Sequence, residues 1–344
     1  MNATGSSASA GSSASAGSPT PTPSVGVTEL PAGGPNALAV TLGLLGDEWN
    51  LWILRFALLG SRRYNDWLAL GGISNSVLSS RLAVLTAGGM LERREYQQNP
   101  PRHEYSVTRK GQSIWPVLIT MWSWEKQWAP NETAPLPPLR HSTCGNDFTP
   151  ILRCKECGED VDVRSLDSQM GPSGDFSRSV PEATSRRRST KSERRPEILA
   201  HTMELVGNRW SAAIIGAAFR GARRYGEFAE ITGAPPAIVA DRLKHLTEIG
   251  VMETRPLPDR PQWSEYRLTD KGTAYFPVVM CMISWGQRWF RSADGPDIVL
   301  HHKACGKRFE ARLGCSACGE ELRSSDIEAI DLTTSVHVPG SGWS

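Results

Sequence analysis

Apolar residues recur at helical spacing shortly after residue 40. They lie three or four positions apart along the chain: Leu42, Leu45, Trp49, Ile53 and Phe56. This is the period of a helix that buries one face. Gly46-Asp47 interrupts the pattern, and aspartate is a residue type that caps helix N-termini. The pattern therefore predicts two helices, the second of which ends at Gly60.

A short helix, a glycine turn and a longer capped helix follow. Tyr64–Leu70 is predicted to be helical and to stop at Gly71-Gly72. Ser74 can cap the next helix. The apolar face of that helix carries Val77, Leu78, Leu82 and Leu85. This order of elements predicts a helix-turn-helix.

The next segment alternates apolar and polar residues as two strands do. Leu91–Tyr96 and His103–Val107 form the pair, and Pro100-Pro101 between them predicts a protruding loop. Thr108 can cap a final helix, in which Pro116 should cause a kink or reset the start. Helices followed by a β-hairpin make a winged helix-turn-helix.

The whole pattern occurs twice. Residues 161 positions apart repeat each other over a unit of about 120 residues, and about a third of the aligned positions are identical. The repeated pairs include Trp49/Trp210, Tyr64/Tyr225, Tyr105/Tyr266, Lys110/Lys271, Trp124/Trp285 and Cys144/Cys305. The chain is therefore a tandem duplication.

The predicted fold class is α+β, mainly α, with two winged helix-turn-helix domains that each carry a small zinc-ribbon-like appendage. The domains span 36–130 and 196–291, and the appendages span 138–163 and 299–324. We expect a disordered Ser/Ala/Pro-rich tail over 1–35 and a second tail over 325–344. Residues 164–195 are predicted to form a flexible basic linker, whose Arg186–Arg195 run is plain linker or a DNA-binding arm.

Composition excludes some classes and leaves DNA binding open. Apolar residues make up 39% and charged residues 22% of the chain, so global disorder is excluded. The net charge of +2 neither requires nor excludes a nucleic-acid partner. The most apolar stretches are about half of the ~20 residues that a membrane span needs, and the N-terminus lacks the pattern of a signal peptide. We expect a cytoplasmic, nucleoid-associated protein.

Histidine and cysteine residues recur with metal-ligand spacing. Each unit has a His-x2-Cys pair followed by a Cys-x2-Cys pair: His141, Cys144, Cys154 and Cys157, then His302, Cys305, Cys315 and Cys318. One His and three Cys suit a closed tetrahedral Zn²⁺ site, so we predict one structural zinc per unit and two per chain. A redox-active Cys154/Cys157 pair or plain thiols are the alternatives. His301 is an alternative to His302, and Cys281 is predicted to be a core residue.

Several segments together resemble one family of regulators. They are Leu45–Trp49, Leu54-Arg55, Arg62–Tyr64, Leu78–Leu82, Leu91–Arg94, Pro100–Tyr105 and Thr108–Gly111. In these segments each unit resembles an HxlR-type winged helix regulator, a branch of the MarR-like superfamily. The resemblance covers about 36–130 and 197–291 and implies DNA-binding control of transcription, usually by homodimers. Family members often carry a redox-sensing cysteine where this chain has Asn36 and Glu197, which argues against that route of thiol sensing.

We expect contacts with double-stranded DNA from the second helix of each motif and from the wings. In the first unit the candidates are Ser74, Asn75, Ser76, Ser79, Ser80 and Arg81, with Gln98 and Arg102 on the wing. In the second unit they are Ala237, Asp241, Arg242, Lys244 and His245, with Arg260 on the wing.

Three alternatives to DNA contact remain open at this point. Arg81 and Arg242 could instead pair inside the fold with Glu92/Glu253 or Glu104/Glu265. Arg62-Arg63 is a solvated turn or a phosphate clamp. Asp241 would repel DNA, so the second unit is a weaker reader or mainly a dimerisation partner.

The duplication also bears on the partners of the chain. It predicts one of two arrangements. Either the two halves form an intramolecular pseudo-dimer that binds two unlike DNA half-sites, or two chains form a homodimer. A small-molecule effector between the last helices is a further hypothesis. The main alternative function is a scaffold that binds proteins instead of DNA. The sequence shows no motif of an enzyme.

Overall fold

The first repeat folds as a winged helix-turn-helix in the order that the sequence predicts. The computed structural model describes residues 1, 26–129, 136–180, 199–257 and 260–329, without the side chains of 260–262 and 329. A strand, β1 (Thr28–Leu30), precedes the domain. The helices and the wing that follow are α1 (Ala37–Leu45), α2 (Glu48–Leu58), α3 (Tyr64–Ala69), α4 (Asn75–Ala87), β2 (Leu91–Gln97), β3 (Arg102–Val107), α5 (Arg109–Gln112) and α6 (Trp115–Trp128).

The predicted capping residues set where these helices begin. Asp47 accepts a hydrogen bond from the Asn50 N–H at the start of α2, over 3.0 Å. Ser74 and Thr108 cap α4 and α5 in the same way. Pro116 lies in the first turn of α6, where its missing N–H removes no helical hydrogen bond. Of the two predicted effects of Pro116, the structure shows a new helix start: α5 ends at Gln112 and α6 begins at Trp115, without a kink inside a single helix.

Short strands and one short helix join the two repeats. They are β4 (Leu139–His141), β5 (Asn146–Phe148), β6 (Pro150–Cys154), β7 (Leu166–Met170) and α7 (Phe176–Ser179). The second repeat then has α8 (Ala200–Val206), α9 (Arg209–Phe219), α10 (Tyr225–Thr232), α11 (Pro236–Glu248), β8 (Met252–Leu257), β9 (Arg260–Leu268), α12 (Asp270–Thr273) and α13 (Phe276–Trp289). After it come β10 (Phe290–Ser292), β11 (Ile298–His302), β12 (Ala311–Cys315) and β13 (Ile327–Ala329).

The small sheets are shared between the repeats. β6 pairs antiparallel with β12, β7 with β11, and β4 with β13. β1 pairs in parallel with β10. The sequence predicts a separate appendage for each repeat. The structure instead builds the appendages from both halves, because a single short hairpin buries too little surface to be stable alone.

Three predicted boundaries change as a result. The N-terminal tail was expected to reach residue 35, but β1 already pairs with β10. The linker was expected to begin at 164, but β7 and α7 lie within it. The C-terminal tail was expected from 325, but β13 pairs with β4. The basic run Arg186–Arg195 lies outside the described residues.

The last helices of the two repeats pack against each other at the centre of the molecule. α13 contacts α6, and each of them also contacts the first helix of the other repeat, α1 and α8 respectively. One continuous set of buried apolar residues runs through both repeats. Among the described residues, no helix is long and apolar enough to cross a bilayer.

Candidate nucleic-acid interface and metal centres

The exposed face of α4 is polar and uncharged at its N-terminal end. Ser74 is half-buried as the cap, whereas Asn75, Ser76, Ser79 and Ser80 are exposed. The Tyr64 hydroxyl donates to the Asn75 carbonyl over 2.8 Å and lies 3.0 Å from the Ser79 hydroxyl. This contact fixes α4 against α3 and leaves the predicted base-reading side chains on the surface.

Arg81 points back into its own domain. Its guanidinium forms an ion pair with the Asp47 carboxylate at 2.9 Å, with both side chains less than one-fifth exposed. Asp47 thus caps α2 and holds α4 at the same time. The sequence suggested Glu92 or Glu104 as the partner within the fold, whereas this ion pair is with Asp47, and Glu92 pairs with Arg94 along the same strand. An arginine held in this way positions α4 more than it reaches outward.

The turn before α3 presents two arginines beside the wing. Asp66 accepts hydrogen bonds from the backbone N–H groups of Arg62 and Arg63, at 2.9 and 2.8 Å. The Arg62 carbonyl in turn accepts from the Tyr105 N–H in β3, over 2.7 Å. Both arginine side chains are exposed. These hydrogen bonds fix the backbone of the turn to the wing and leave both cations at the surface, so a solvated turn and a phosphate clamp both stay open.

The second repeat contains the same turn. Glu227 accepts from the N–H groups of Arg223 and Arg224, and these two hydrogen bonds lower the pKa of its carboxyl group. The Arg223 carbonyl accepts from the Tyr266 N–H over 2.7 Å. The turn is therefore a repeated structural unit and not a chance feature of one copy.

The two wings carry different residues. Gln98 and Arg102 are exposed at the tip of the first wing, where Gln97 and Arg102 are the last paired residues. In the second wing Arg260 begins β9, but its side chain lies outside the description. Trp263 takes the place of Arg102 and is 54% exposed. The wings are thus not equivalent surfaces.

The basic residues of α11 are paired with acidic groups of their own repeat. Arg242 forms an ion pair with the neighbouring Asp241, whose pKa it lowers, and not with the predicted Glu253 or Glu265. His245 Nε2 lies 2.9 Å from a Glu204 carboxylate oxygen. Lys244 is exposed, 3.7 Å from Glu248, and Ala237 is exposed in the first turn. These pairs reduce the positive potential that α11 offers to DNA.

Two groups of cysteine and histidine residues are assembled, and each draws on both repeats. Cys154 and Cys157 meet His302 and Cys305, while His141 and Cys144 meet Cys315 and Cys318. The ligand atoms of each group all lie within 4.8 Å of one another. The prediction of four ligands from one repeat is wrong in its pairing, because the strand pairs β6–β12 and β4–β13 bring opposite repeats together.

The distances in these groups fit one tetrahedral zinc ion each. Cys157 Sγ lies 3.2 Å and Cys305 Sγ 3.5 Å from His302 Nδ1. Cys318 Sγ lies 3.4 Å from His141 Nδ1. Neighbouring ligands around a zinc with bonds of about 2.0–2.3 Å lie ~3.5–3.8 Å apart. His302, and not His301, is the residue that joins the group.

The cysteines of each group differ in pKa. A backbone N–H from Asn146 lowers the pKa of Cys144 to about 7, and one from Lys307 lowers the pKa of Cys305. Burial and hydrogen bonds to neighbouring thiols raise the pKa of Cys157 and Cys318, although a backbone N–H acts in the opposite direction on each. A thiolate is the form that binds a metal. Cys281, by contrast, is buried on α13, and burial raises its pKa to about 12. It is the core residue that the sequence predicts.

Sequence reasoning missed several contacts that join the repeats. The buried Glu125 carboxylate on α6 accepts hydrogen bonds from the N–H groups of His201 and Thr202 at the start of α8, over 3.0 and 2.8 Å. Trp124 and Trp285 each donate to a carbonyl of the other repeat. The sequence did show that the two repeats have tryptophan at this same position, but it did not identify the hydrogen-bond partners of Trp124 and Trp285.

Comparisons with known proteins agree on one family. The sequence profile described as HxlR-like helix-turn-helix matches residues 44–133 and again 205–294. A protein of Mycobacterium tuberculosis (strain ATCC 25618 / H37Rv) named an uncharacterized HTH-type transcriptional regulator is 36% identical over 131 residues, which are 38% of this chain and 83% of that relative. A protein of Synechocystis with the same kind of name is 40% identical over 91 residues, 26% of this chain and 67% of its own length.

One solved structure is similar in sequence to part of the chain. The reduced form of the transcriptional regulator YodB from B. subtilis is 31% identical to this chain. The match covers 26% of this chain and 90% of YodB, with a TM-score of 0.24.

Proposed function

The chain belongs to the HxlR-like helix-turn-helix family, and from this we propose that it is a sequence-specific regulator of transcription that binds double-stranded DNA with both repeats. As a member of a family of regulators it is not an enzyme. The single observation that carries the proposal is the presence of two complete winged helix-turn-helix domains whose central helices α6 and α13 pack together. Such a chain acts as an intramolecular pseudo-dimer, associated with the nucleoid.

The first repeat is the main reader of sequence in this proposal. The N-terminal end of α4 enters the major groove, where Asn75, Ser76, Ser79 and Ser80 can reach base edges. Gln98 and Arg102 on the wing contact the adjacent minor groove or the backbone. Support comes from the exposure of all these side chains. Arg81 positions α4 through its ion pair with Asp47 at the start of α2.

The second repeat contributes affinity more than specificity. Its candidates Ala237, Asp241, Arg242, Lys244 and His245 lie on α11 among internal ion pairs. The exposed Arg223 and Arg224 match the first repeat's Arg62 and Arg63, and they can bind phosphates whatever the sequence. The preferred site therefore has two unlike halves, one of them sharply specified.

The two His/Cys groups hold structural zinc, one ion in each. The support is the donor set, one histidine and three cysteines, and the spacing of the ligand atoms. A zinc ion with four protein ligands has no position for substrate, so its contribution is to the fold. Since each site draws two ligands from each repeat, zinc binding ties the halves together.

Selection of bound fragments from sheared genomic DNA tests the proposal. The zinc-replete full chain is used, and the enriched site is titrated at several salt concentrations. We expect one bipartite motif and a steep loss of affinity with salt. Arg102→Ala should weaken binding and reduce the salt slope by about one.

A matched variant controls for effects on folding. Arg140→Ala removes an exposed arginine of β4, which pairs with Asp147. This position is distant in sequence from α4 and from the wing of the first repeat. The variant should leave DNA affinity unchanged. No enrichment of any fragment would favour the alternative of a protein-binding scaffold. Equal affinity of both variants for an enriched site would contradict the role of Arg102.

A further inference from the structure

A partly open apolar cavity lies between the second repeat, α1 of the first repeat and the segment that joins the repeats. Its volume is about 110 Å³. The walls come from α1, β7, α7, α9 and α13, and they are mostly aliphatic and aromatic side chains. An engineered apolar cavity of ~150 Å³ stays dry and binds benzene, so this volume suits a molecule of about one ring.

The first repeat serves as an internal control, because its equivalent positions carry large side chains. Ala212, Ala213, Gly216 and Ile283 line the cavity. Their counterparts, 161 residues earlier, are Leu51, Trp52, Arg55 and Trp122. The Arg55 guanidinium stacks on the Trp122 ring at 4.8 Å, and both tryptophans are less than one-tenth exposed. The cavity therefore exists where the second copy has small residues in place of bulky ones.

Two polar groups at the cavity lack partners within the described residues. Tyr275 is 1% exposed, and its hydroxyl has no hydrogen-bond partner there. A buried hydroxyl without a partner is unfavourable, so a hydrogen bond between this group and a ligand would stabilise the complex. Arg220 lines the cavity on its solvent-exposed side, with no carboxylate in ion-pair distance among the described residues, and its guanidinium lies 5.9 Å over the Phe176 ring.

We propose that this cavity binds a small apolar carboxylate, with the apolar body between α9 and α13 and the carboxylate on Arg220. The apolar walls exclude a strongly polar body, and the Arg220 guanidinium on the exposed side of the cavity can form charge-assisted hydrogen bonds with a carboxylate. The cavity residues on α7 and directly after it are Phe176, Ser179 and Val180, none of them acidic. Burial and the Glu125 carboxylate raise the pKa of Tyr275, so the negative charge of a ligand belongs at Arg220 and not at Tyr275.

The cavity is placed to influence DNA binding. α9 lines it with one face and packs against α10 and α11 of the same repeat. A ligand that shifts α9 would move the second recognition helix relative to the first. This regulatory step rests on the proposed function, whereas ligand binding itself does not.

Binding of sodium benzoate, measured by calorimetry on the zinc-replete full chain without DNA, tests the site. Ala212→Leu installs the residue of the first repeat and should weaken benzoate binding at least about tenfold. Ala218→Leu, on the same helix but outside the cavity walls, should leave it unchanged. Arg220→Gln should weaken benzoate about tenfold while the neutral probe benzyl alcohol binds as before.

The outcomes separate the site from its regulatory role. Failure of both probes to bind, or equal binding to the wild type and Ala212→Leu, would overturn the proposal. Benzoate that binds as expected but changes the DNA affinity of neither the wild type nor the variants would keep the site and remove its link to the proposed function. A change in the DNA affinity of the wild type, absent in Ala212→Leu, would support both.

Discussion

Trp124 in the first repeat donates its indole N–H to the backbone carbonyl of Lys271 in the second repeat, over 3.0 Å. At the equivalent position, Trp285 donates in the opposite direction, to the Lys110 carbonyl over 3.3 Å and also to the Ser113 hydroxyl over 3.0 Å. An exchange of equivalent contacts is the pattern of a two-fold symmetric dimer. Here it occurs within one chain.

The first prediction concerns this reciprocal contact. Trp124→Phe keeps an aromatic ring near Tyr275 but leaves the Lys271 carbonyl without its donor. We expect a loss of about 1–3 kcal/mol in the free energy of unfolding, measured by urea denaturation. Trp49→Phe is the control, since Trp49 packs edge-on against Trp52 within one repeat. Equal losses in the two variants would show that the contact between repeats adds nothing.

A second prediction uses the close approach of α1 and α13. A Cβ at Gly286 would overlap Thr41 Oγ1 and lie 3.3 Å from the Ala37 carbonyl. Gly286→Ala should therefore destabilise the protein, although alanine is the better helix former by about 1 kcal/mol. Gly226→Ala, in α10 with open space around its Cβ position, should be neutral or stabilising. A stabilised Gly286→Ala variant would mean that the helices are further apart.

The third prediction identifies which cysteines share a zinc. Cys144 and Cys318 lie in one group, so the double variant Cys144→Ser/Cys318→Ser should damage one site and retain one zinc per chain. Cys144→Ser/Cys154→Ser takes one ligand from each group and should lose both ions. Metal analysis of protein purified reduced and without chelators measures the difference. The reverse result would restore the pairing within each repeat.

A fourth prediction separates base reading from phosphate binding. Asn75→Ala should relax specificity at a single base pair in one half of the site, at a cost of about 1–3 kcal/mol for the preferred base. Arg62→Ala should instead weaken all sequences alike and reduce the salt slope by about one. Both follow from competition titrations with single-base variants of the selected site. A sequence-independent loss in Asn75→Ala would contradict the placement of α4 in the major groove.

Local structure was predictable because its causes lie close together in the sequence. Asp47, Ser74 and Thr108 each cap the helix that follows within three residues, so the boundaries agree with the prediction. Pro116 has its effect within one turn of α6. The helix-turn-helix and its wing follow from such signals alone.

Contacts between distant residues were not predictable in the same way. The partner of Arg81 is Asp47, 34 positions away, and not the glutamates that follow it in sequence. The cysteine spacing gives the four ligand pairs but cannot say which pairs combine. β7 was not predicted, and its residues were assigned to the linker, because its partner strand β11 follows the second repeat.

The number of chains bound per DNA site tests the central claim most directly. Light scattering of the complex between the full chain and one copy of its selected bipartite site gives that number from the total mass. We predict one chain on each site, with both halves protected from cleavage in a footprint. Two chains on each site, with one repeat of each chain in contact with DNA, would contradict the intramolecular pseudo-dimer.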